Sequence, residues 1–402
     1  MREQVSFRPF IQARAGRTAV MVLLASSLGG VARAQTPAPA KPAPDRFDLS
    51  LALGERSTSN PAFQPDNQSP DGDYVSDLRA DLAGARKTQR TDWSLHYRPF
   101  YTRYRVNDQF DTSNHALDWD GSYRLSRLTN LKLLERFSYS RDPIQVASPE
   151  TGDSPVLTRQ TKRWRNAADA GVDLGLSRSV SFLMGAFARV DRYQDPGLAD
   201  TNTYTGRVGV LDHLGRQDRL ATTYSYSRFL LNSDAASDVS SHGLDVEWSH
   251  GAPGRTELGL SVGLAEVFQS GARQNRFTGG ASFHRPFRHA DFVTGYRRSL
   301  SADTGVASVT LAQNAYAGFS GGLGRRVTLG LVADYGTRKS ALTEGTDVDL
   351  SYAGGTVRGS VTLNERFSLT GEASRRRQND AVGVGSDVTA DIYFLGLAFK
   401  IF

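Results

Sequence analysis

The chain has 402 residues, with 48 Lys and Arg against 42 Asp and Glu, and no cysteine, which excludes disulfides, thiolate metal sites and a cysteine nucleophile. Five Arg and one Glu fall within residues 1–34, and without them the formal charge of +6 drops to +2, too even a balance for a nucleic-acid binder with a clustered basic face. A mean hydropathy of −0.41 excludes a bundle of membrane helices but not a membrane β-barrel, whose alternating strands average to polar.

At the start of the chain Arg14 and Arg17 precede the apolar run Ala19–Ala25, and Ala32-Arg33-Ala34 supplies a small-x-small site. This pattern predicts a secretory signal peptide over residues 1–34, cleaved near Ala34. Ser26, Ser27, Gly29 and Gly30 interrupt the run and argue against a permanent anchor helix. Residues 35–46, rich in Pro and Ala, read as a periplasmic tether that cannot pack.

From Phe47 to Phe402 the apolar period is two almost throughout. Phe47, Leu49, Leu51 and Leu53 alternate with polar or small residues, as do Trp93-Leu95-Tyr97, Ala168-Ala170-Val172-Leu174, Phe182-Met184-Ala186-Ala188-Val190 and Val327-Leu329-Leu331-Ala333-Tyr335. Such segments are strands with one apolar and one polar face. Short turns are expected near residues 88, 128, 178, 215, 253, 288, 324 and 365, several carrying a common signature: Leu125-Ser126-Arg127, Leu176-Ser177-Arg178, Leu323-Gly324-Arg325 and Leu363-Asn364-Glu365. Longer polar connections lie between them, at Glu55–Ser76, Val106–Asn114, Arg141–Lys162, Arg192–Thr201, Leu230–Ser240, Gln269–Asn275, Ser299–Val306, Thr337–Thr346 and Arg376–Asp387. The sum is about eighteen strands of roughly 9–11 residues, within a range of 14–18 strands, the grammar of a bacterial outer-membrane barrel. Residues 47–402 are therefore expected to form an all-β, closed antiparallel up-and-down transmembrane β-barrel. Its short turns would be periplasmic and its long loops extracellular. Tyr97, Tyr101, Tyr123, Phe137, Tyr139, Tyr193, Tyr204, Tyr224, Tyr226, Tyr296 and Tyr335 are expected in its aromatic girdles.

The last strand ends Leu395-Gly396-Leu397-Ala398-Phe399-Lys400-Ile401-Phe402 and resembles the C-terminal signal read by the outer-membrane barrel assembly machinery, although Phe402 falls on the face opposite Leu395, Leu397, Phe399 and Ile401. Leu49–Pro61, Tyr97-Arg98-Pro99-Phe100-Tyr101 and Phe137–Pro143 resemble the porin-like β-barrel family of Gram-negative outer membranes. Some members of that family occur beside exopolysaccharide or exosortase genes. The resemblance implies an outer-membrane location, a barrel fold and transport linked to the cell envelope.

The polar face carries charges that tend to alternate in sign from strand to strand. His96 and Arg98 are followed by Asp118 and Asp120, then Lys132 and Arg136, then Asp169 and Asp173, then Arg189 and Arg207. These ten residues are the candidate lumen-lining set, and cross-strand opposite charges would each stabilise the wall by about 0.2–1 kcal/mol. Three places fit the pattern poorly: Glu135 falls on the lipid face, and Gln313–Gly321 and Ala353–Val361 alternate badly enough to suggest a bulge or a slipped boundary. Glu55–Ser76 and Arg141–Lys162, the longest loops, are the expected constrictions. His115 with Asp111 and His242 with Asp238 lie near the outer loops as candidate catalytic pairs, but neither sits in a catalytic motif. No catalytic, cofactor or metal residue is assigned, and the chain is expected not to be an enzyme. The leading reading is a porin-like channel for small polar solutes or polysaccharide-linked export, with outer-membrane lipid, lipopolysaccharide and the assembly machinery as partners. The alternatives are a structural or adhesive barrel with a closed lumen, and a soluble β-propeller.

Overall fold

A period of two puts successive side chains on opposite faces, and a ribbon with one apolar face must hide its backbone as well as its side chains. The computed structural model describes residues 46–64, 66, 72–141, 161–195, 198–232, 238–251, 256–302, 308–342, 349–380 and 387–401. The signal segment 1–34, most of the tether and Phe402 lie outside the described residues.

Eighteen strands follow one another along the chain: β1 Arg46–Thr58, β2 Asp73–Lys87, β3 Thr91–Tyr104, β4 Thr112–Arg124, β5 Thr129–Ser140, β6 Arg163–Gly175, β7 Val180–Tyr193, β8 Asp200–Asp212 and β9 Asp218–Asn232. The second half comprises β10 Val239–His250, β11 Glu257–Gln269, β12 Ala272–Pro286, β13 Ala290–Ser301, β14 Thr310–Leu323, β15 Val327–Ser340, β16 Asp349–Thr362, β17 Phe367–Asp380 and β18 Val388–Lys400. Each strand pairs antiparallel with its sequence neighbours, and β1 pairs with β18 over Ser50–Thr58 against Ile392–Lys400. The sheet is thus a closed, up-and-down barrel with no free edge. The strands are longer than the sequence suggests, at 12–15 residues, because the ladders continue past the apolar stretch into the loop end.

The turn end is built from repeated side-chain caps. Ser126 Oγ accepts hydrogen bonds from the backbone N–H of Leu128 and Thr129, Ser177 Oγ from Ser179 and Val180, and Asn364 Oδ1 from Arg366 and Phe367. Thr88 Oγ1 caps the first turn in the same way. This explains the Leu-Ser/Asn signature: the short oxygen closes the turn, and the preceding Leu125, Leu176 and Leu363 remain exposed on the apolar face.

Three expectations are corrected. Gln269–Asn275 is no loop: β11 and β12 join through Ser270–Gly271, with φ of 49° and 88°, a two-residue hairpin turn that needs positive φ at both positions. Gln313–Gly321 and Ala353–Val361 contain no bulge, since β14 and β16 pair without interruption on both sides; Ala and Gly at outward positions such as Ala315, Ala317, Ala353, Gly355 and Gly359 blur the period but not the register. Tyr193 is not a girdle residue. It shares a face with Arg189 and Asp191, and the Arg163 guanidinium lies 5.2 Å from its ring centroid.

The seam between β1 and β18 depends on Gly54. The Phe394 ring lies over it, and a Cβ there would sit 2.8 Å from Leu395 O. The same ring carries the Arg79 guanidinium 4.5 Å from its centroid. Gly54→Val is expected to destabilise the barrel by about 1–3 kcal/mol through overpacking. It should lower the temperature at which the folded band converts to the unfolded one on a heat-modifiability gel. Gly355→Ala, where the added methyl meets open space, should leave that temperature unchanged.

Candidate functional site: the inner wall

Parity along the ladders sorts side chains into two sets. One set holds the exposed Leu53, Leu78, Leu95, Val208, Leu260, Phe277, Leu331 and Leu395. The other holds nearly every buried charge, including Arg56, Asp77, Asp191, Asp334, Arg338 and Arg376. Large side chains can be this well covered only on the concave side of a closed sheet, so the charged face points inward.

All ten candidate residues belong to the charged face by register, and ion pairs link them around the wall. His96 Nε2 lies 2.5 Å from Asp81, Arg98 Nη2 lies 2.6 Å from Asp118, and Arg136 approaches the same carboxylate at 3.9 Å. Lys132 bonds Asp173 at 2.8 Å and Arg207 bonds Asp169 at 2.6 Å. Asp120 lines a recess of about 290 Å³ with Asp92, Lys132 and Asp169. The arc from β2 to β7 is therefore a belt of alternating sign, and Arg207 of β8 reaches past β7 to Asp169 of β6.

Sequence reasoning missed the strongest centre. Asp191, at 0% exposure, is bracketed by Arg163 Nη2 at 2.6 Å, Arg165 Nε at 2.7 Å and Arg189 Nε at 3.2 Å. Asp77, also fully buried, holds Arg79 at 2.9 Å and Arg56 at 3.5 Å and accepts a hydrogen bond from Thr102 Oγ1. Asp334 faces Arg376, both guanidinium Nη atoms at 3.4 Å. A parity argument would have found Asp191, since it shares the face of Arg189. Arg56 and Arg376 were hidden because they fall in stretches read as loops. In each centre one carboxylate is shared by several guanidiniums or held in a fork, the geometry in which Arg recognises an anion.

Burial along the inner face changes with height. In β2 the inward residues Asp73, Val75 and Asp77 at the loop end are buried, whereas those toward the turn end are half-exposed; β15 shows the same gradient in reverse chain direction. The interior is filled at the loop end. Phe229 of β9, Val239 of β10 and Val267 of β11 form an inward apolar patch. Packed on it are Ala302 and Val309 from the β13–β14 connection and Ala341 and Leu342 from the β15–β16 connection. Arg276 Nε of β12 donates to Ala341 O at 2.8 Å. Since β15 is not a neighbour of β9–β12, these connections reach across the interior. Phe63, between β1 and β2, packs on Val388 and Ala390 of β18. The expected constriction by Glu55–Ser76 is thus met in part, and residues 142–160 lie outside the described residues. Two connections the sequence did not single out, β13–β14 and β15–β16, also place residues in the interior.

The two His–Asp pairs are not assembled. His115 Nδ1 lies 2.8 Å from Tyr97 OH and His242 Nδ1 2.6 Å from Tyr224 OH, both on the outward face, while Asp111 accepts from the Tyr104 N–H and Asp238 pairs with Arg228. These are girdle residues.

This is a transmembrane-type β-barrel. No family model matches the chain and no curated protein matches it. Among solved structures it is similar to Pseudomonas aeruginosa OccK2 (OpdF) in complex with glucuronate, at 13% identity over 89% of this chain and 98% of that one, TM-score 0.45. It is also similar to Acinetobacter baumannii OccAB4, at 10% identity over 90% and 100%, TM-score 0.43. A third is the siderophore receptor PirA from Pseudomonas aeruginosa, at 11% identity over 90% and 81%, TM-score 0.41.

Removing the shared carboxylate of the three-arginine centre leaves like charges crowded in a buried place. Asp191→Ala is expected to cost about 3–5 kcal/mol, read as a lower urea midpoint for the folded barrel in detergent. Added sulfate should recover part of the loss by binding between the freed guanidiniums.

Proposed function

We propose that the chain is an outer-membrane channel through which small hydrophilic solutes pass, with the loop end extracellular and the turn end periplasmic. The observation that carries this reading is the inner wall. An eighteen-strand barrel is wide enough for an aqueous channel, and here the wall from β2 to β8 carries a continuous series of ion pairs that favour a watery lumen. The lumen-lining role of His96, Arg98, Asp118, Asp120, Lys132, Arg136, Asp169, Asp173, Arg189 and Arg207 belongs to this proposal. Around the two fully buried carboxylates at the loop end guanidinium is in excess, with three arginines about Asp191 and two about Asp77. Such a field favours anions over cations. Lipopolysaccharide around the girdles, the assembly machinery at the last strand, export linked to a polysaccharide and the absence of enzymatic activity stand with this reading as expectations.

The apolar contact at the loop end supports a second reading, a barrel closed at its mouth and used for structure or adhesion. Purified protein in a planar bilayer separates the two. A channel gives discrete conductance steps and, in a salt gradient, a reversal potential of the sign for anion preference; a closed barrel gives no steps above background. If the mouth narrows by an apolar constriction that excludes water, Leu342→Ser and Val267→Ser should each raise single-channel conductance or open fraction severalfold. Unchanged conductance in both variants would place the limiting constriction elsewhere.

A further inference from the structure

The outward face carries one feature that a lipid-bathed barrel does not explain. Glu135 points outward near the middle of β5, paired in register with Trp119 of β4. Phe137, Tyr139 and Trp164 stand between it and the loop end, and Leu133, Leu131 and Tyr123 between it and the turn end. Other outward charges among the described residues, such as Glu55, Arg86, Arg103, Arg192, Glu266 and Arg285, lie toward strand ends. Ionisable groups at membrane depth are costly and mark places where a polar partner arrives. Within the chain Glu135 Oε1 accepts a single long hydrogen bond, 3.4 Å from Asn166 Nδ2, and Asn166 Oδ1 is buried with no hydrogen-bond partner.

The surroundings of this pair fit close approach of another surface. By register, Ala168 and Ala170 of β6, Ala186 and Ala188 of β7 and Gly206 of β8 follow Asn166 on the outward face, giving a flat area beside the taller Leu and Tyr rows. On the other side lies an outward apolar groove of about 330 Å³, lined by Trp93, Trp119, Leu131 and Leu133 beside Gly121.

We propose that this face, β4–β7 centred on Glu135 and Asn166, docks a second copy of the chain within the membrane. Acyl chains offer no donor to a carboxylate. The groups needed are a donor for Glu135 and a polar neighbour for Asn166, and the same face supplies both. Two barrels inserted in the same direction are related by a two-fold axis along the membrane normal. With that axis between β5 and β6, Glu135 of each copy faces Asn166 of the other, a self-complementary contact. The small residues let the two sheets meet closely enough for those bonds. The inference rests on the membrane-embedded reading of the barrel.

The cysteine-free sequence makes the test direct. Ala168→Cys places one thiol beside the pair, and Ala333→Cys places one on β15, across the barrel. Mild oxidation of intact outer membranes should convert Ala168→Cys to a disulfide-linked dimer on a non-reducing gel and leave Ala333→Cys monomeric. Adding Glu135→Leu with Asn166→Leu should cut the Ala168→Cys cross-link at least tenfold while the heat-modifiable folded band persists. The proposal is overturned if both thiols cross-link equally, if neither does, or if Ala168→Cys is captured only by a different protein. Absence of a heat-modifiable band in the wild type would remove the membrane reading itself, and this inference with it.

Discussion

A sheet placed in hydrocarbon has nowhere to put an unpaired N–H or C=O, and each one left bare costs several kcal/mol. That penalty makes the first and last strands find each other: β1 and β18, more than three hundred residues apart, must close the ring. Side-chain volume at the seam has been removed to allow it, with Gly54 opposite Gly396 and one aromatic ring, Phe394, lying across the gap. Once the ring is closed, every other property is assigned by geometry. Odd and even residues acquire an inside and an outside, and what is a weak alternation in sequence becomes an absolute division between lipid and water.

The inner wall meets a second cost. A charge on the concave face at the loop end is removed from bulk water nearly as thoroughly as in a protein core. The chain compensates by setting guanidinium beside most of its buried carboxylates, while Asp73 is held instead by the N–H groups of Val106 and Asn107. Asp191, Asp77 and Asp334 each sit among arginines, and the shortness of Asp keeps the anion close to the wall while the longer Arg reaches across one or two strands. Breaking such a centre is expensive even where forming it adds little net stability, so these clusters fix the shape of the lumen more than they deepen the energy well.

Much of the fold was legible because both of its rules are local. Period two is visible in a short window along most of the chain, and the turn caps are set by a single Ser, Thr or Asn three residues before the next strand. The number of strands and the inward parity of the ten candidate charges follow from these alone. What escaped notice depended on distance. The connection at Ser270–Gly271 looked like a loop because Gln269, Arg273 and Asn275 are polar, yet they are strand residues standing above the apolar zone. Tyr193 was assigned outward by residue type, although counting from Arg189 places it inward. The apolar meeting of Val267, Phe229 and Leu342 could not be read from any one strand, since it joins wall and connections that are far apart in the chain.

That last contact shows where the alternation rule changes meaning. Along β9 the inward residues run Thr223, Ser225, Ser227, then Phe229 and Leu231: polar where the wall faces water, apolar where chain folds over it. From Leu220 the outward side runs through Thr222, Tyr224, Tyr226 and Arg228 to Leu230, with its one charge beyond the two tyrosines. β9 therefore changes the polarity of its inward face part-way along while the period stays the same. The reversal marks the height at which the membrane ends and the mouth begins. An average over the whole strand erases it, which is why the chain appears merely polar by composition while burying a distinct apolar cluster at its entrance.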